Sequence, residues 1–294
     1  MKVEISHPDK VLFPDDGITK GDLASYYERV SEWMLPHVRG RPVSMQRFPD
    51  GIGGKGFFHK DVPDYFPEWV DRVQVPKSNG TVTHALIDNT ETLLYLANQN
   101  TITPHVWLSR ADRLHQPDRL VFDLDPPPGS GFASVRRAAR WTAELLDELE
   151  LVPFAQVTGS KGIHIWTPLQ RRSGLEEVRE LARAAAQVLA DRHPRELTVE
   201  FRKAKRDGRI LVDVARNGYA QTAVPPYAVR PRAGGPVATP IEREELSDSR
   251  LRPDRWTLRN VLRRLRSKGD PWGDMQSHAR GIAGARRALR ALAG

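Results

Sequence analysis

Three short stretches of the chain alternate between apolar and polar positions. Residues 119–125 set Leu120, Phe122 and Leu124 against Asp123 and Asp125. Residues 163–167 set Ile163 and Ile165 against His164 and Trp166, and residues 210–214 set Ile210, Val212 and Val214 against Asp213. A side-chain period of two is that of a β-strand, whose successive side chains leave opposite faces. Strands of this kind in one sheet have one apolar face and one face that carries acids and a histidine. The pattern therefore predicts an α/β (α+β) fold in which helices pack on one side of a largely antiparallel sheet and the other side is an open cleft floor.

Helical spacing dominates elsewhere. Thr19 followed by Asp22 reads as an N-cap, and Leu23, Tyr26, Tyr27, Val30 and Met34 extend a helix over about residues 20–37. A short helix is expected over residues 91–98. Longer ones are expected on Val135, Ala138, Leu145, Leu146 and Leu149, and over residues 175–191. Residues 42–47, 81–87 and 152–157 read as further strands. Asp207-Gly208 lies between the strand-like runs 197–202 and 210–214, which predicts a hairpin with the second strand antiparallel to the first. Residues 226–240, rich in Pro, Gly and Arg, form a loop before two basic helices near 257–267 and 277–292. No repeat or linker divides the chain, so a single domain over residues 1–294 is expected. Its parts are an N-terminal portion (1–118), the acid-bearing sheet (119–240) and the basic C-terminal helices (241–294).

Charge changes this picture mainly through its distribution. The chain carries a formal net charge of +8, yet residues 250–294 alone hold 12 Lys/Arg against 3 Asp/Glu, which leaves the remainder close to neutral. An anionic groove-filling partner must therefore be met by local clusters. Arg202, Lys203, Lys205, Arg206 and Arg209 around Asp207 are one such cluster, or else a solvated hairpin tip. The basic C-terminal helices fit a DNA-contacting flank, a docking surface or solvated helix faces equally well. With no cysteine, a disulfide scaffold, a thiolate metal site and a cysteine nucleophile are excluded. The N-terminal MKVEISHPDK has no apolar signal region and no run approaches the ~20 apolar residues of a membrane span, so a cytoplasmic (nucleoid) location without membrane partners is expected.

The chemistry concentrates on the polar strand faces. Asp123 and Asp125 leave one strand on the same side, and their repulsion is relieved best by a divalent cation, although two acids before the Pro126-Pro127-Pro128-Gly129 turn also serve simply to end a strand. Asp213 supplies the third carboxylate that a two-metal site requires. Thr158-Gly-Ser-Lys-Gly-Ile-His164 joins two strand-like runs through small residues whose N–H groups can approach a phosphate. Ser160 and Lys161 add a hydroxyl and a point charge. A Walker loop is excluded, because the Gly-Lys-Ser/Thr order is absent and a strand follows.

Asp-Leu-Asp at 123–125, Ser-Lys-Gly-Ile-His at 160–164 and the acid of Leu-Val-Asp-Val at 211–214, in that order, resemble the catalytic core of the archaeo-eukaryotic primase superfamily. Pro-Asp-Lys-Val-Leu-Phe-Pro (8–14), Gly-Phe-Phe-His-Lys (56–60), Thr-Pro-His-Val-Trp (103–107), Gln-Thr-Ala (221–223) and Val-Ala-Thr-Pro (237–240) narrow the resemblance to the polymerase domain of bacterial ligase D, over nearly the whole chain. The resemblance implies that Asp123, Asp125 and Asp213 are catalytic and hold two divalent ions, Mn2+ or Mg2+. It assigns His105, Thr158, Ser160, Lys161, His164, Arg230 and Arg232 to the incoming NTP or dNTP, and Lys10 and Lys20 to a 5′-phosphate across a break. Phe57 and Phe58 are expected to stack on the template strand, and Arg47 and Lys60 to add DNA contacts. Where the family usually reads Ser-Gly-Ser-Lys-Gly-Leu-His, this chain reads Thr-Gly-Ser-Lys-Gly-Ile-His, which keeps the hydroxyl, the lysine and the histidine.

The expected activity is template-directed nucleotidyl transfer, as a DNA polymerase or primase extending 3′-hydroxyl ends at DNA breaks or short gaps in non-homologous end joining, with ribonucleotides preferred. The expected partners are 5′-phosphorylated or gapped DNA, nucleoside triphosphates, a DNA ligase and an end-binding protein. A metal-dependent nuclease or phosphoesterase also uses three carboxylates, but Lys161, Arg230 and Arg232 suit a triphosphate better than one scissile diester. A non-catalytic end-bridging module is the third reading, and three unneutralised acids beside DNA weigh against it.

Overall fold

The computed structural model describes residues 3–293. Along the chain, β1 (Val11–Phe13) and β2 (Ile18–Thr19) lead into α1 (Lys20–Val38), followed by β3 (Val43–Arg47), β4 (Phe57–His59), β5 (Arg72–Lys77), β6 (Gly80–Ala85), α2 (Thr90–Asn98) and β7 (Thr101–Trp107). Next come β8 (Arg119–Asp125), α3 (Phe132–Glu148), β9 (Phe154–Val157), β10 (Ile163–Pro168), α4 (Leu175–Arg192), β11 (Leu197–Thr198) and β12 (Ile210–Asp213). β13 (Thr222–Ala223), β14 (Thr239–Ile241), α5 (Val261–Lys268) and α6 (Ile282–Ala293) complete the elements. The chain divides into two compact units. The first comprises the chain up to Asp112 with Thr222–Thr239 and Trp256–Asp270, and the second comprises Arg113–Gln221, Pro240–Arg255 and the chain from Pro271 on.

In the first unit a four-stranded sheet runs in the order β13-β7-β3-β4, which leaves β4 at its edge, and β5 and β6 form a separate antiparallel ribbon. α1 begins where the sequence places it. Thr19 Oγ1 accepts from Asp22 N at 3.1 Å while Thr19 N donates to Asp22 Oδ2 at 2.9 Å, a reciprocal capping box that satisfies two helix-end donors. Its buried face, Leu23, Tyr27, Val30 and Met34, follows the predicted spacing. Tyr26 and Tyr27 are also buried, and their hydroxyls donate to the carbonyls of Tyr227 and Ile102, so neither phenol is left unpaired in the core.

In the second unit a six-stranded sheet has the order β11-β12-β8-β10-β9-β14. β8 pairs antiparallel with both β10 and β12, and β10 pairs antiparallel with β9. Leu120, Phe122, Leu124, Ile163, Ile165 and Val212 are buried, and α3 and α4 both pack against this sheet. The opposite face is polar at one end only. Trp166 on that face is fully buried, with its ring 5.8 Å from Trp272, so part of the expected open floor is covered by aromatic packing.

One expectation fails. β11 and β12 pair in parallel, Leu197 with Ile210 and Thr198 with Leu211, rather than as an antiparallel hairpin. Asp207 and Gly208 do take the left-handed backbone conformation, with φ of 49° and 75°. However, the strand ends at Thr198, because local side-chain bonds take over from the ladder: Glu200 N donates to Thr198 Oγ1 and Arg202 N to Glu200 Oε1. The chain leaves the sheet, makes a helical turn at Lys203–Lys205 and re-enters alongside β11, where Ile210 N donates to Glu196 O.

Candidate active site

Asp213 ends β12 directly opposite Asp123 of β8, and His164 of β10 sits opposite Asp123 on the other side. Cross-strand partners in register share a sheet face, so these three side chains and Asp125 converge at one end of the polar face. His164 Nε2 lies 3.3 Å from Asp123 Oδ1, and Arg216 Nε lies 4.0 Å from Asp123 Oδ2. Asp213 Oδ1 accepts from Ala215 N at 2.8 Å. Its pKa is nonetheless raised above the ordinary aspartate value, first by burial and then by the charges of Asp123 and Asp125, which outweigh the Ala215 bond and Arg216.

Asp125 is held differently. The buried guanidinium of Arg206 donates to Asp125 Oδ2 at 2.9 Å and to the carbonyls of Glu200 and Phe201. Among the described residues no three His, Asp or Glu side chains are drawn into a ready metal cage. The donor set still fits a hard divalent cation. It consists of carboxylate oxygens from two adjacent strands, gathered on one face in a partly buried place.

The loop between β9 and β10 borders these acids. A Cβ built on Gly162 would stand 2.3 Å from the Leu124 carbonyl oxygen and 3.8 Å from Asp123 Oδ1, so only glycine lets the loop lie this close to β8. Thr158 Oγ1 donates to Gly162 O and accepts from Gly162 N, which closes the loop on itself. Gly159 takes φ of 65°. Ser160 is half-buried and Lys161 is exposed. Thr158, expected to touch a nucleotide, also braces the loop from within.

The other sequence-predicted residues all lie on the first unit. Lys10 and Lys20 come together, with Lys20 N donating to Lys10 O at 2.8 Å. Lys20 is only 3% exposed and its Nζ bonds Ser6 Oγ and the carbonyl and side-chain oxygens of Asn98. Burial first, and the Lys10 charge second, lower its pKa below the ordinary lysine value. Arg230 and Arg232 stand on a tight loop pinned by Arg230 N to Pro236 O and by Gly234 N to Asp16 Oδ2 at 2.6 Å.

Edge strand β4 presents Phe57 and Phe58, 44% and 54% exposed, beside exposed Lys55 and Lys60. His105 on β7 meets the Phe58 ring edge-to-face at 5.2 Å and approaches Gln46 Oε1 at 3.3 Å. Arg47 organises this surface: its guanidinium lies 5.9 Å from the Phe57 centroid, contacts His59 Nδ1 at 3.0 Å and donates to the hydroxyl of Tyr65 at 3.1 Å.

Sequence reasoning missed three residues here. Arg206 was seen only as one member of a basic cluster, and nothing in its spacing announces that a crossover brings it to Asp125. Arg216, three residues beyond Asp213, carried no signal of its own. Tyr65, 60% exposed, is an aromatic ringed by Pro63, Asp64, Phe66 and Pro67 in a turn, and an exposed aromatic near Phe57 was the one available hint.

An acid pair facing a third acid across antiparallel strands, bordered by a glycine-rich loop with serine and lysine, is the arrangement expected of a primase-polymerase fold. The family described as LigD, primase-polymerase domain, matches residues 19–272, and the chain belongs to that family. It is 34% identical over 271 residues to the multifunctional non-homologous end joining protein LigD of Mycolicibacterium smegmatis, covering 92% of this chain and 35% of that protein. It is 36% identical over 287 residues to the LigD of Pseudomonas aeruginosa, covering 97% of this chain and 34% of the relative. The chain thus spans about a third of the length of the curated relatives it matches. The solved polymerase domain of Mycobacterium tuberculosis ligase D in complex with DNA superposes with a TM-score of 0.89 at 34% identity, over 95% of this chain and 99% of that one.

Proposed function

We propose that the protein extends 3′-hydroxyl ends of DNA at breaks and short gaps by template-directed nucleotidyl transfer, as the polymerase of a non-homologous end-joining system. The observation that carries this reading is the register pairing of Asp213 with Asp123, two residues from Asp125 on the same strand face. In this reading the three acids would hold two divalent cations, Mn2+ or Mg2+, which supply Lewis-acid activation and charge neutralisation when bound. The protein's own residues do the rest. Thr158, Ser160, Lys161 and His164 hold the triphosphate and sugar of the nucleotide, and His164 also stands beside Asp123. Arg230 and Arg232 clamp the triphosphate through planar, bidentate guanidinium groups. His105 contacts the nucleotide, Lys10 and Lys20 take the 5′-phosphate, Phe57 and Phe58 stack on the template, and Arg47 and Lys60 contact DNA.

The same reading has one primase-polymerase module over residues 1–294 act on 5′-phosphorylated DNA with ribonucleotides preferred, in the cytoplasm at the nucleoid, alongside a ligase and an end-binding protein. The test is incorporation on gapped, 5′-phosphorylated DNA with each sugar and each metal, for the wild type and Asp123→Ala. Extension by the wild type and none by the variant, with DNA binding retained, is expected. Undiminished synthesis by Asp123→Ala would remove the site, and release of mononucleotides without added triphosphate would make the protein a nuclease.

A further inference from the structure

The two C-terminal helices, both basic in sequence, differ in how the fold treats their charge. On α6, Arg286 donates to Glu177 Oε1 at 3.1 Å and stands 3.9 Å from Glu180 Oε2, so α4 gives it countercharges. Around α5 the chain has none to give. Trp256 to Gly269 carries five cations and no acid, and the next carboxylate, Asp270, accepts from the Tyr227 hydroxyl and lies 2.7 Å from His37 Nε2. Val261, Leu262 and Leu265 are buried, and Arg264 lays its guanidinium over the Trp256 ring at 4.5 Å. The other side of α5 shows exposed Arg259, Arg263 and Arg266, whose spacing of four and then three residues sets them on one helical face. Among the described residues Arg263 and Arg266 form no ion pair. Arg259 donates to Asp16 O at 2.8 Å, a main-chain carbonyl that orients the guanidinium without neutralising it.

This face is tied to the loop of Arg230 and Arg232. Leu258 N donates to Gly235 O and Val237 N to Trp256 O, while Asp16 holds both sides, with its carboxylate on Gly234 N and its carbonyl on Arg259. Three like charges on one face repel one another, and a phosphate diester relieves that repulsion while its oxygens match the planar guanidinium fork. No exposed aromatic residue occurs along Trp256–Asp270, in contrast to β4, so the surface lacks the stacking platform that a single strand uses. We infer that the arginine face of α5 is a docking surface for the sugar–phosphate backbone of duplex DNA flanking the gap. It adds affinity and orientation without reading sequence, because phosphates carry none. The inference rests on the DNA-binding part of the function proposed above and not on catalysis.

The test measures binding of the full chain to gapped, 5′-phosphorylated DNA over a range of salt. It compares the wild type, the α5 variant Arg259→Gln with Arg263→Gln and Arg266→Gln, and an equal loss of charge on α6, Arg286→Gln with Arg287→Gln and Arg290→Gln. The α5 variant should bind about tenfold to a hundredfold more weakly at low salt, and its slope of log affinity against log salt should flatten by about 2 to 3, close to one per lost phosphate contact. The α6 variant should lose less than about threefold. Trimming the two duplex arms one at a time should cost the wild type the same factor on one arm and the α5 variant nothing there. Arg259→Lys with Arg263→Lys and Arg266→Lys should keep most of the slope. The melting temperature should hold in all of these α5 variants, since the side chains face solvent, which separates lost binding from lost fold. An unchanged slope in the α5 variant, or equal losses from α5 and α6, would overturn the assignment. So would intact DNA binding with lost affinity for polyglutamate, which would make the face a site for an acidic protein. A wild type that binds gapped DNA as described but adds no nucleotide sinks the proposed polymerase and leaves the α5 surface standing.

Discussion

On the six-stranded sheet, candidate site residues are fixed by neighbours in register, whereas on the four-stranded sheet candidate nucleic-acid contacts stand on an edge strand and reach solvent. Asp123 is flanked by His164 and Asp213 on central strands, and Gly162 presses against the backbone of β8. Phe57, Phe58 and Tyr65 are each at least 44% exposed, and the Arg47 guanidinium reaches both Phe57 and Tyr65. The difference matches two physical demands. Displacement at phosphorus tolerates little misplacement of the groups around it, so its supports belong inside a ladder. Stacking on bases accepts any π-face, so its residues can sit where the backbone has only one neighbour.

The sharpest test of this contrast is Asp213→Asn. Extension should fall by about a thousandfold or more, because an amide is a poor substitute for a carboxylate on a hard cation. Metal-free stability at neutral pH should rise at the same time. The folded state holds the Asp213 proton more tightly than the unfolded chain, so stability declines as pH rises from the ordinary aspartate value through the raised one. Asparagine escapes that loss, and its advantage in melting temperature should vanish in acid below the window. A melting curve that favours the wild type at pH 7 would contradict the raised pKa that burial, and then the neighbouring acids, give Asp213.

Next in size is Gly162→Ala, which drives a Cβ into the Leu124 carbonyl. It should cost about 2–4 kcal/mol of stability and roughly a hundredfold in extension. Gly131→Ala, with open space around its Cβ, should do neither. On the exposed side, the double change Phe57→Ala with Phe58→Ala should weaken binding to DNA with a single-stranded template by about tenfold to a hundredfold. Its melting temperature should hardly move, and a large thermal loss would mean that these rings belong to a core. The smallest effect concerns Lys20. Since burial lowers its pKa, selectivity for 5′-phosphorylated over unphosphorylated ends should decline by a few-fold on the alkaline side before an ordinary lysine titrates. Lys20→Arg should keep its selectivity to higher pH, which binding titrations at two or three pH values will show.

Much of this arrangement was legible in the sequence because period-two alternation reports the face of a strand directly. It placed Asp123, Asp125, His164 and Asp213 on polar faces, and the register pairs of β8, β10 and β12 put those faces together. α1 was equally legible, since its cap and apolar stripe are both local. What was hidden depends on contacts between distant parts of the chain. The edge strand β4 is three residues long and its two aromatics break the alternation. The Trp166 end of β10, away from the acids, is covered by Trp272, which lies more than a hundred residues on. Asp207-Gly208 has the backbone that its sequence demands, but the direction of the preceding strand was decided by Thr198 and Glu200, whose side chains capture neighbouring N–H groups.

The segment between β11 and β12 therefore serves as more than a connector. Because it carries the chain back to its starting end, β12 runs beside β11 in the same sense and finishes, rather than begins, next to Asp123. An engineer who trimmed it to a two-residue Asn-Gly turn would invert β12 end for end, and the third acid would be delivered to the wrong rim of the sheet. The loop's length is in this sense part of the geometry of the candidate site, and deletions within it should be tolerated far less well than its exposed, charged composition suggests.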